Sequence, residues 1–451
     1  MRIQRKAYYM SAEKILALGF ACIILSGAIL LNTPFASANG KNIGFLNALF
    51  TATSATSVTG LLTVDIANEL TLFGKIIVLL LIQTGGLGFM MMGTIILVVL
   101  GKRISLKNRL FIRDTFNTES LSGSVRLVRR GVIFALSLEF LGAAILSIRF
   151  IKLYGFASGV GIAIFTAISA FCNAGIDLFG NFDSMSGFSN DPLVLITVAI
   201  LIILGGLGFI VLDDLINKKF QFKKLYLHSK IVLTMTACLL VFGALILYIT
   251  EIDNVRYWGD RSVLNKILNV SFHSAVLRSA GFSSLNYAYN TNAGKIMSVI
   301  WMFIGSSPAS TGGGIKTTTM FLLLMQTYTV IRANEEIQVF SKTISKKQSL
   351  KAIAIVATFL ILVIVGTMFI CGFEKNTDRL AIDILYESMS AIGNVGLSTS
   401  DIRLYSVQSR IVLIIIMFLG RVGPLTMAYA IGNSDQGASK IQFPEERIII
   451  G

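Results

Sequence analysis

Four glycines, Gly60, Gly175, Gly281 and Gly396, recur at intervals of 115, 106 and 115 residues. Each closes a short segment of the same kind: Thr56-Ser57-Val58-Thr59-Gly60-Leu61, Phe171-Cys172-Asn173-Ala174-Gly175-Ile176, Leu277-Arg278-Ser279-Ala280-Gly281-Phe282 and Ile392-Gly393-Asn394-Val395-Gly396-Leu397. None holds a Ser-His-Asp constellation or a metal-ligand spacing. What they can offer is backbone oxygen. A dehydrated cation in a low-dielectric setting needs oxygen ligands, and rings of backbone carbonyls can replace its hydration shell. Aiming successive carbonyls at one axis takes dihedral angles that glycine reaches without steric cost. The candidate filter residues are therefore Val58, Thr59 and Gly60; Asn173, Ala174 and Gly175; Ser279, Ala280 and Gly281; and Asn394, Val395 and Gly396. One such glycine could merely cap a short helix. Four at matching places favour a pore for a cation.

The elements that would position these loops are apolar. Hydrophobic types make up 54% of the 451 residues and charged types 14%, with a mean hydropathy of +0.75. Soluble domains carry about 25% charged residues, so lipid is the expected solvent. Runs at 15–31, 75–100, 131–148, 193–212, 231–249, 352–371 and 411–431 reach the roughly 20 residues that span a bilayer as helix. The stretches 43–56, 160–172, 263–276 and 380–391 just before the loops are too short to cross and fit re-entrant half-helices, whose C-termini carry partial negative charge toward a cation. The expected fold is an all-α polytopic membrane protein. It has four helix–pore loop–helix repeats in pseudo-fourfold arrangement around one pore, and eight spanning helices. The repeats fall within 1–101, 102–212, 213–331 and 332–451.

A second echo follows each loop. Gly85-Gly86-Leu87-Gly88-Phe89 and Gly205-Gly206-Leu207-Gly208-Phe209 match each other, and they read as sites of close helix packing. Thr311-Gly312-Gly313-Gly314 and Gly420-Arg421-Val422-Gly423-Pro424 are set against them in the third and fourth repeats. The first two fail as dinucleotide motifs, which would need glycine where Met91 and Val211 stand.

Residues 294–331 would make roughly 57 Å of helix at 1.5 Å per residue, against a hydrocarbon core of about 30 Å. Their middle, 305–316, contains four glycines and Pro308, all helix breakers. An intramembrane loop is expected there, with a proline kink as the plainer alternative. A phosphate-binding loop is excluded because Ile315 separates Gly314 from Lys316. Arg421 lies inside an apolar run, where arginine costs about 2.5–3.5 kcal/mol, so it should face the pore or a partner. Beneath a filter, at about 8 Å and a dielectric near 20, its charge would oppose a cation by roughly 2 kcal/mol. The candidate gate is Gly312, Gly313, Gly314, Lys316 and Arg421. Glu139, also in an apolar run, is expected to make structural hydrogen bonds.

The formal charge is +15, and 24 of the 39 Lys/Arg against 10 of the 24 Asp/Glu fall in 1–14, 102–130, 213–230, 332–351 and 432–451. Cytoplasmic loops collect Lys and Arg, so these segments and both termini are expected inside the cell. The charge is split among short segments beside hydrophobic runs, which explains it better than nucleic-acid binding. Ala36-Ser37-Ala38 resembles a signal-cleavage site, but cleavage there would remove the first helix of a repeat. The four cysteines read as small core residues, and no paired catalytic groups suggest an enzyme.

The elements Thr53-Ser54-Ala55-Thr56-Ser57-Val58-Thr59-Gly60, Ser169-Ala170-Phe171-Cys172-Asn173-Ala174-Gly175, Arg278-Ser279-Ala280-Gly281-Phe282 and Ser390-Ala391-Ile392-Gly393-Asn394-Val395-Gly396 carry a resemblance. So do Ser310-Thr311-Gly312-Gly313-Gly314-Ile315-Lys316-Thr317, Gly420-Arg421-Val422-Gly423-Pro424 and Pro444-Glu445-Glu446-Arg447. In order and spacing, over nearly the whole chain, they resemble the Trk/Ktr/HKT superfamily of potassium transporters, and the KtrB-type membrane subunit of bacterial Ktr systems in particular. One departure is Val276-Leu277 before Arg278, where hydroxyl residues are usual. The resemblance implies potassium uptake across a bacterial cell membrane, helped by sodium ion, with no organic cofactor in the chain. It also implies a homodimer, membrane lipid around it, and a cytosolic ring of RCK-type nucleotide-binding regulatory subunits (KtrA-like), with no nucleic acid. Glycine rather than serine at position 60 argues against a sodium-conducting member.

Overall fold

The structure, a computed structural model, describes residues 12–88, 121–334, 336–423 and 426–427. The loop 102–120, the end of the run 75–100 and the tail motif at 444–447 lie outside the described residues.

The chain begins with α1 (Ala12–Leu31), α2 (Phe45–Ser57) and α3 (Leu72–Leu87). Next come α4 (Leu121–Tyr154), α5 (Phe156–Phe171), α6 (Pro192–Leu207) and α7 (Phe209–Asn217). The third group is α8 (Leu227–Glu251), α9 (Val263–Val276), α10 (Asn292–Phe303) and α11 (Thr317–Ile331). A small antiparallel hairpin, β1 (Ile337–Val339) and β2 (Lys342–Ile344), pairs Gln338 with Thr343. The last group is α12 (Lys346–Phe373), α13 (Ala381–Ile392) and α14 (Val407–Val422).

Each group opens with a long apolar helix. Among the described residues, 4 helices are long and apolar enough to cross a membrane: α1, α4, α8 and α12. Their outer surfaces leave Phe140, Val241 and Met368 largely uncovered, as lipid permits and water does not. The short helices α2, α5, α9 and α13 fall where half-helices are expected. Their apolar faces and small residues bury almost every position in the last two turns.

The helices that follow the loops start alike. Thr71 Oγ1 accepts from Gly74 N, Asp191 Oδ1 from Leu193 N, Thr291 Oγ1 from Gly294 N and Ser406 Oγ from Ser409 N. These caps satisfy donors that a helix start leaves open. Three of these helices also end alike: α3 at Gly88 (φ +82°), α6 at Gly208 (φ +92°) and α14 at Gly423 (φ +89°). The run 193–212 is therefore not one straight span. It breaks at Gly208, and α7 leaves α6 at 94°. The positive φ of glycine makes that turn cheap.

Close packing does explain the preceding glycines. A Cβ on Gly85, Gly205 or Gly420 would overlap the carbonyl oxygen of Thr56, Phe171 or Ile392 respectively. Each of those carbonyls lies four residues before its loop glycine. In the third group Gly305 follows Gly281 by 24 residues, as Gly420 follows Gly396, but a Cβ on it would overlap Gly313 O of its own stretch rather than a loop carbonyl. α10 ends at Phe303, so the glycine-rich stretch lies beyond the helix, in the non-helical path 304–316.

Candidate functional site

The four half-helices end in a repeated turn. In the first, Ser54 accepts twice, from Thr59 N at its carbonyl (2.8 Å) and from Gly60 N at its hydroxyl (3.0 Å). Ser390 does the same for Val395 N (2.8 Å) and Gly396 N (3.0 Å). Ser169 takes Ala174 N at its carbonyl (2.7 Å) and Ile176 N at its hydroxyl (3.0 Å). All three serines stand six residues before the loop glycine. The third loop has Ala275 there, and Ala280 N returns to Val276 O instead (3.1 Å). The departure at Val276-Leu277 thus belongs to a loop without the serine clamp.

Each loop also has two left-handed residues two apart. Val58, Asn173, Ser279 and Asn394 hold φ of 58°, 60°, 67° and 50°, and the glycines Gly60, Gly175, Gly281 and Gly396 hold 99°, 65°, 76° and 89°. The residue between does not share the positive φ. In a trans peptide the N–H and C=O point opposite ways. N–H groups drawn back to the serines therefore turn the intervening carbonyls away from the half-helices.

Those carbonyls meet. A Cβ on Gly60 would lie 2.7 Å from Ala174 O, one on Gly175 2.7 Å from Ala280 O, and one on Gly281 2.8 Å from Val395 O. One on Gly396 would overlap Thr59 O. The contacts run from first loop to second, third, fourth and back to the first. All twelve residues expected at the filter lie in these four segments, and their glycines share one constriction with no room for side chains. Behind it, Asn394 Nδ2 donates to Thr59 Oγ1 (3.0 Å) and Met417 O (2.9 Å). Ser279 Oγ donates to Asn394 O (2.7 Å). Glu139 accepts from Gln83 Nε2 at 3.1 and 3.2 Å and has Cys172, the second loop's cysteine, beside it. Its structural hydrogen bonding is thus in place.

On one side of the constriction opens a vestibule of about 670 Å³, lined by all four glycines and by Asp65, Asp177, Asp183, Asp401, Arg256, Arg261 and Arg403. Its wall is stitched between loops: Asn181 N donates to Asp65 Oδ2 (2.7 Å), and Met185 N to Ser283 O (2.8 Å). Burial pushes the Asp177 carboxyl up to about 6, against the hydrogen bonds of Phe179 N and Ser184, with the nearby charges of Asp65 and Asp183 adding to the rise.

The stretch 304–316 lies on the opposite side. Its arms pair, Gly305 N to Ile315 O (2.9 Å) and Ser306 N to Gly313 O (3.3 Å). It is tied to the second group through Ser307 N to Gly206 O (3.0 Å), Thr311 N to Gly205 O (3.2 Å), Thr311 Oγ1 to Phe171 O (3.0 Å) and Phe209 N to Ala309 O (2.9 Å). Gly313 N donates to Ser279 Oγ at 2.9 Å, and a Cβ on Gly313 would overlap Asn394 Oδ1. Lys316 Nζ donates to Gly312 O (2.8 Å). Arg421 joins the stretch to the first group: Nη1 donates to Thr311 O (2.6 Å), and Nη2 to Gly85 O and Gly86 O. The last carbonyls of α3 lack helical donors, so the guanidinium fills that need while holding Thr311. The five residues expected at a gate are thus together under the ring.

Sequence reasoning passes over three contributors. The clamping serines read as ordinary small residues. Ser279 is expected only as a carbonyl donor, yet its hydroxyl links the fourth loop to the stretch beneath. Glu387, in α13, is fully buried and carries a signal that composition holds: an ionisable residue in a mildly apolar half-helix.

The chain matches the TrkH family model, described as cation transport protein, over residues 12–439. It is 35% identical over 438 residues to the Ktr system potassium uptake protein B of Bacillus subtilis, covering 97% of this chain and 96% of that one. It is 36% identical over 447 residues to the potassium/sodium uptake protein NtpJ of Enterococcus hirae, covering 98% of each. The crystal structure of the potassium transporter TrkH from Vibrio parahaemolyticus superposes with a TM-score of 0.72 at 16% identity, covering 96% of this chain and 87% of that one. That likeness is one of fold, and the helical membrane architecture agrees with it. The resemblance read from the loops thus holds, and the chain belongs to the TrkH family of cation transport proteins, in its KtrB-type branch.

Proposed function

We propose that this chain carries potassium ions inward across a bacterial cell membrane, through a pore whose filter is the ring of Gly60, Gly175, Gly281 and Gly396 with the carbonyls beside them. The observation that carries this is the cyclic meeting of glycine and carbonyl from loop to loop. Carbonyl oxygens replace water around a cation, and the half-helix C-termini behind them favour positive charge. Two relatives named for potassium uptake by the Ktr system, from Bacillus subtilis and Vibrio alginolyticus, support the choice of ion.

In this reading four helix–pore loop–helix repeats surround one pore, and α1, α4, α8 and α12 cross outward while the helices after the loops return, giving eight spans. Both termini face the cytoplasm and the vestibule faces out. The stretch 304–316 obstructs the exit, held by Arg421 and Lys316, and moves aside to open. Sodium assists, in keeping with the relative named for potassium and sodium uptake. The working unit is a homodimer with a cytosolic RCK-type nucleotide-binding ring.

Rubidium uptake in cells lacking their own potassium transport tests the whole reading. Expression of the chain with its cytosolic partner should restore uptake in competition with potassium. Well-inserted protein that moves neither ion would overturn it.

A further inference from the structure

We propose that Glu387 is a positioning residue for ion selectivity: it fixes the peptide planes just outside the fourth glycine so that the carbonyls of Ser398 and Thr399 face the vestibule. The proposal rests on the filter reading above and extends it to the outer end of one loop.

Glu387 lies on α13, nine residues before Gly396, with no solvent exposure. A buried carboxylate is costly unless hydrogen bonds satisfy it. Its Oε1 accepts from two backbone groups, Thr399 N (2.9 Å) and Ser400 N (3.2 Å). The hydroxyls of Ser398 (2.8 Å) and Ser400 (3.1 Å) also reach it. Those hydroxyls have other neighbours, Ser400 O and Tyr405 Oη, so the two N–H groups are the firm partners. Oε2 has no partner among the described residues. One oxygen thus gathers the turn after the glycine.

The consequence follows from peptide geometry. The peptide joining Ser398 to Thr399 is trans, as is the next. With their N–H groups aimed inward at Glu387, the carbonyls of Ser398 and Thr399 must point outward. Residues 396–401 line the vestibule, and neither carbonyl accepts a hydrogen bond among the described residues. They are free to meet an ion that is shedding water just before the ring. Asp383, one turn earlier, braces the same turn. It accepts from Thr399 Oγ1 (3.1 Å) and from Lys295 Nζ of α10 (2.7 Å).

The other loops have no such strut. At nine residues before the glycine they carry Thr51, Thr166 and Phe272, and neither threonine hydroxyl has a partner among the described residues. The fourth loop alone is held by a carboxylate at this place, so the outer approach to the ring is chemically one-sided.

The test compares potassium and sodium uptake per inserted protein for wild type, Glu387→Ala, Glu387→Gln and Gly396→Ser. Losing acceptors for the two N–H groups should cut the potassium preference of Glu387→Ala by about fivefold or more. Glu387→Gln keeps an oxygen of equal reach and should stay within about twofold of wild type by the same reasoning. A purely structural role would lower the amount of inserted protein and leave the ratio unmoved. If Gly396→Ser loses selectivity and inserted Glu387→Ala does not, the strut is overturned while the filter stands. If neither moves, the filter reading fails and the strut with it. Should Glu387→Ala fail to insert, Glu387→Asp carries the test. It withdraws the oxygen by one methylene, so an unchanged ratio there overturns the proposal.

Discussion

Val58 is β-branched yet holds a φ of 58°, a conformation that costs on the order of 1–3 kcal/mol and persists only where its surroundings enforce it. The enforcement is the pair of N–H bonds to Ser54, and the yield is a fixed direction for two carbonyls. Gly60 completes the turn at a φ of 99° with backbone of the second and fourth loops where a Cβ would stand. Gly60→Ser should therefore twist the ring and weaken discrimination against sodium, by about tenfold for each 1.4 kcal/mol of misfit. Competitive uptake of the two ions measures it, and an unchanged ratio removes Gly60 from the filter. Arg421 supports a second prediction at this scale. Charge-assisted hydrogen bonds are worth about 1.5–3 kcal/mol, so losing the hold on Thr311 should raise potassium flux on the order of tenfold in Arg421→Ala. Lysine keeps the charge but has no planar fork to reach Thr311, Gly85 and Gly86 together. If anchoring governs, Arg421→Lys leaks like alanine; if repulsion governs, it behaves like wild type. Flux per inserted protein decides. The ring glycines stand out in sequence through their recurrence at matching places, and Arg421 because a charge is improbable inside an apolar run. Ser54, Ser169 and Ser390 were not, since a small hydroxyl residue in a packed half-helix looks the same whether or not it clamps a turn.

At the scale of elements, the half-helices could be read within four residues of their ends, because short apolar stretches bounded by polar loops leave little choice. The break in α6 could not. Leu204-Gly205-Gly206-Leu207-Gly208-Phe209 has no proline and stays apolar through the turn, so hydropathy runs across a bend that only the φ of Gly208 reveals. The third group departs from the others: Gly305 holds the place by spacing, yet it packs on Gly313 of its own stretch rather than on a loop carbonyl. The stretch 304–316 is held by hydrogen bonds to the second and fourth groups and to Ser279 of its own group rather than by its own core. Removing residues 309–314 should thus raise ion flux and lessen dependence on the cytosolic partner; vesicle flux equal to wild type without the partner would sink the gate. Glu374, at the end of α12, supports a stability prediction. Burial raises its carboxyl, but Ser406 N, the Ser409 and Ser406 hydroxyls and Arg379 outweigh that and hold it below its ordinary value of 4.5. A depressed value means the stabilisation is present above about pH 4.5 and is lost as pH falls through the folded-state value. Glu374→Gln should melt earlier than wild type at pH 7, and the gap should narrow as pH falls below 4.5; a gap that does not narrow would contradict the ion pair's role.

At the scale of the whole molecule, the vestibule and the stretch beneath the ring define two faces, and the proposed orientation, with the Lys- and Arg-rich segments inside, can be tested. In a background without Cys22, Cys172, Cys238 and Cys371, a cysteine at exposed Asn39 should react with an impermeant reagent added to intact cells, and one at exposed Ser341 should not. The reverse pattern would invert the molecule. The ring also has a consequence in time. Asn394 reaches Thr59 across 335 residues of chain, and Arg421 reaches Gly85 across 336. Contacts of such separation form late, and during synthesis the second cannot form before α14 has left the ribosome. In the proposed pore the fourth group closes the ring, so a chain truncated after the first three groups leaves it open at a seam beside the first loop.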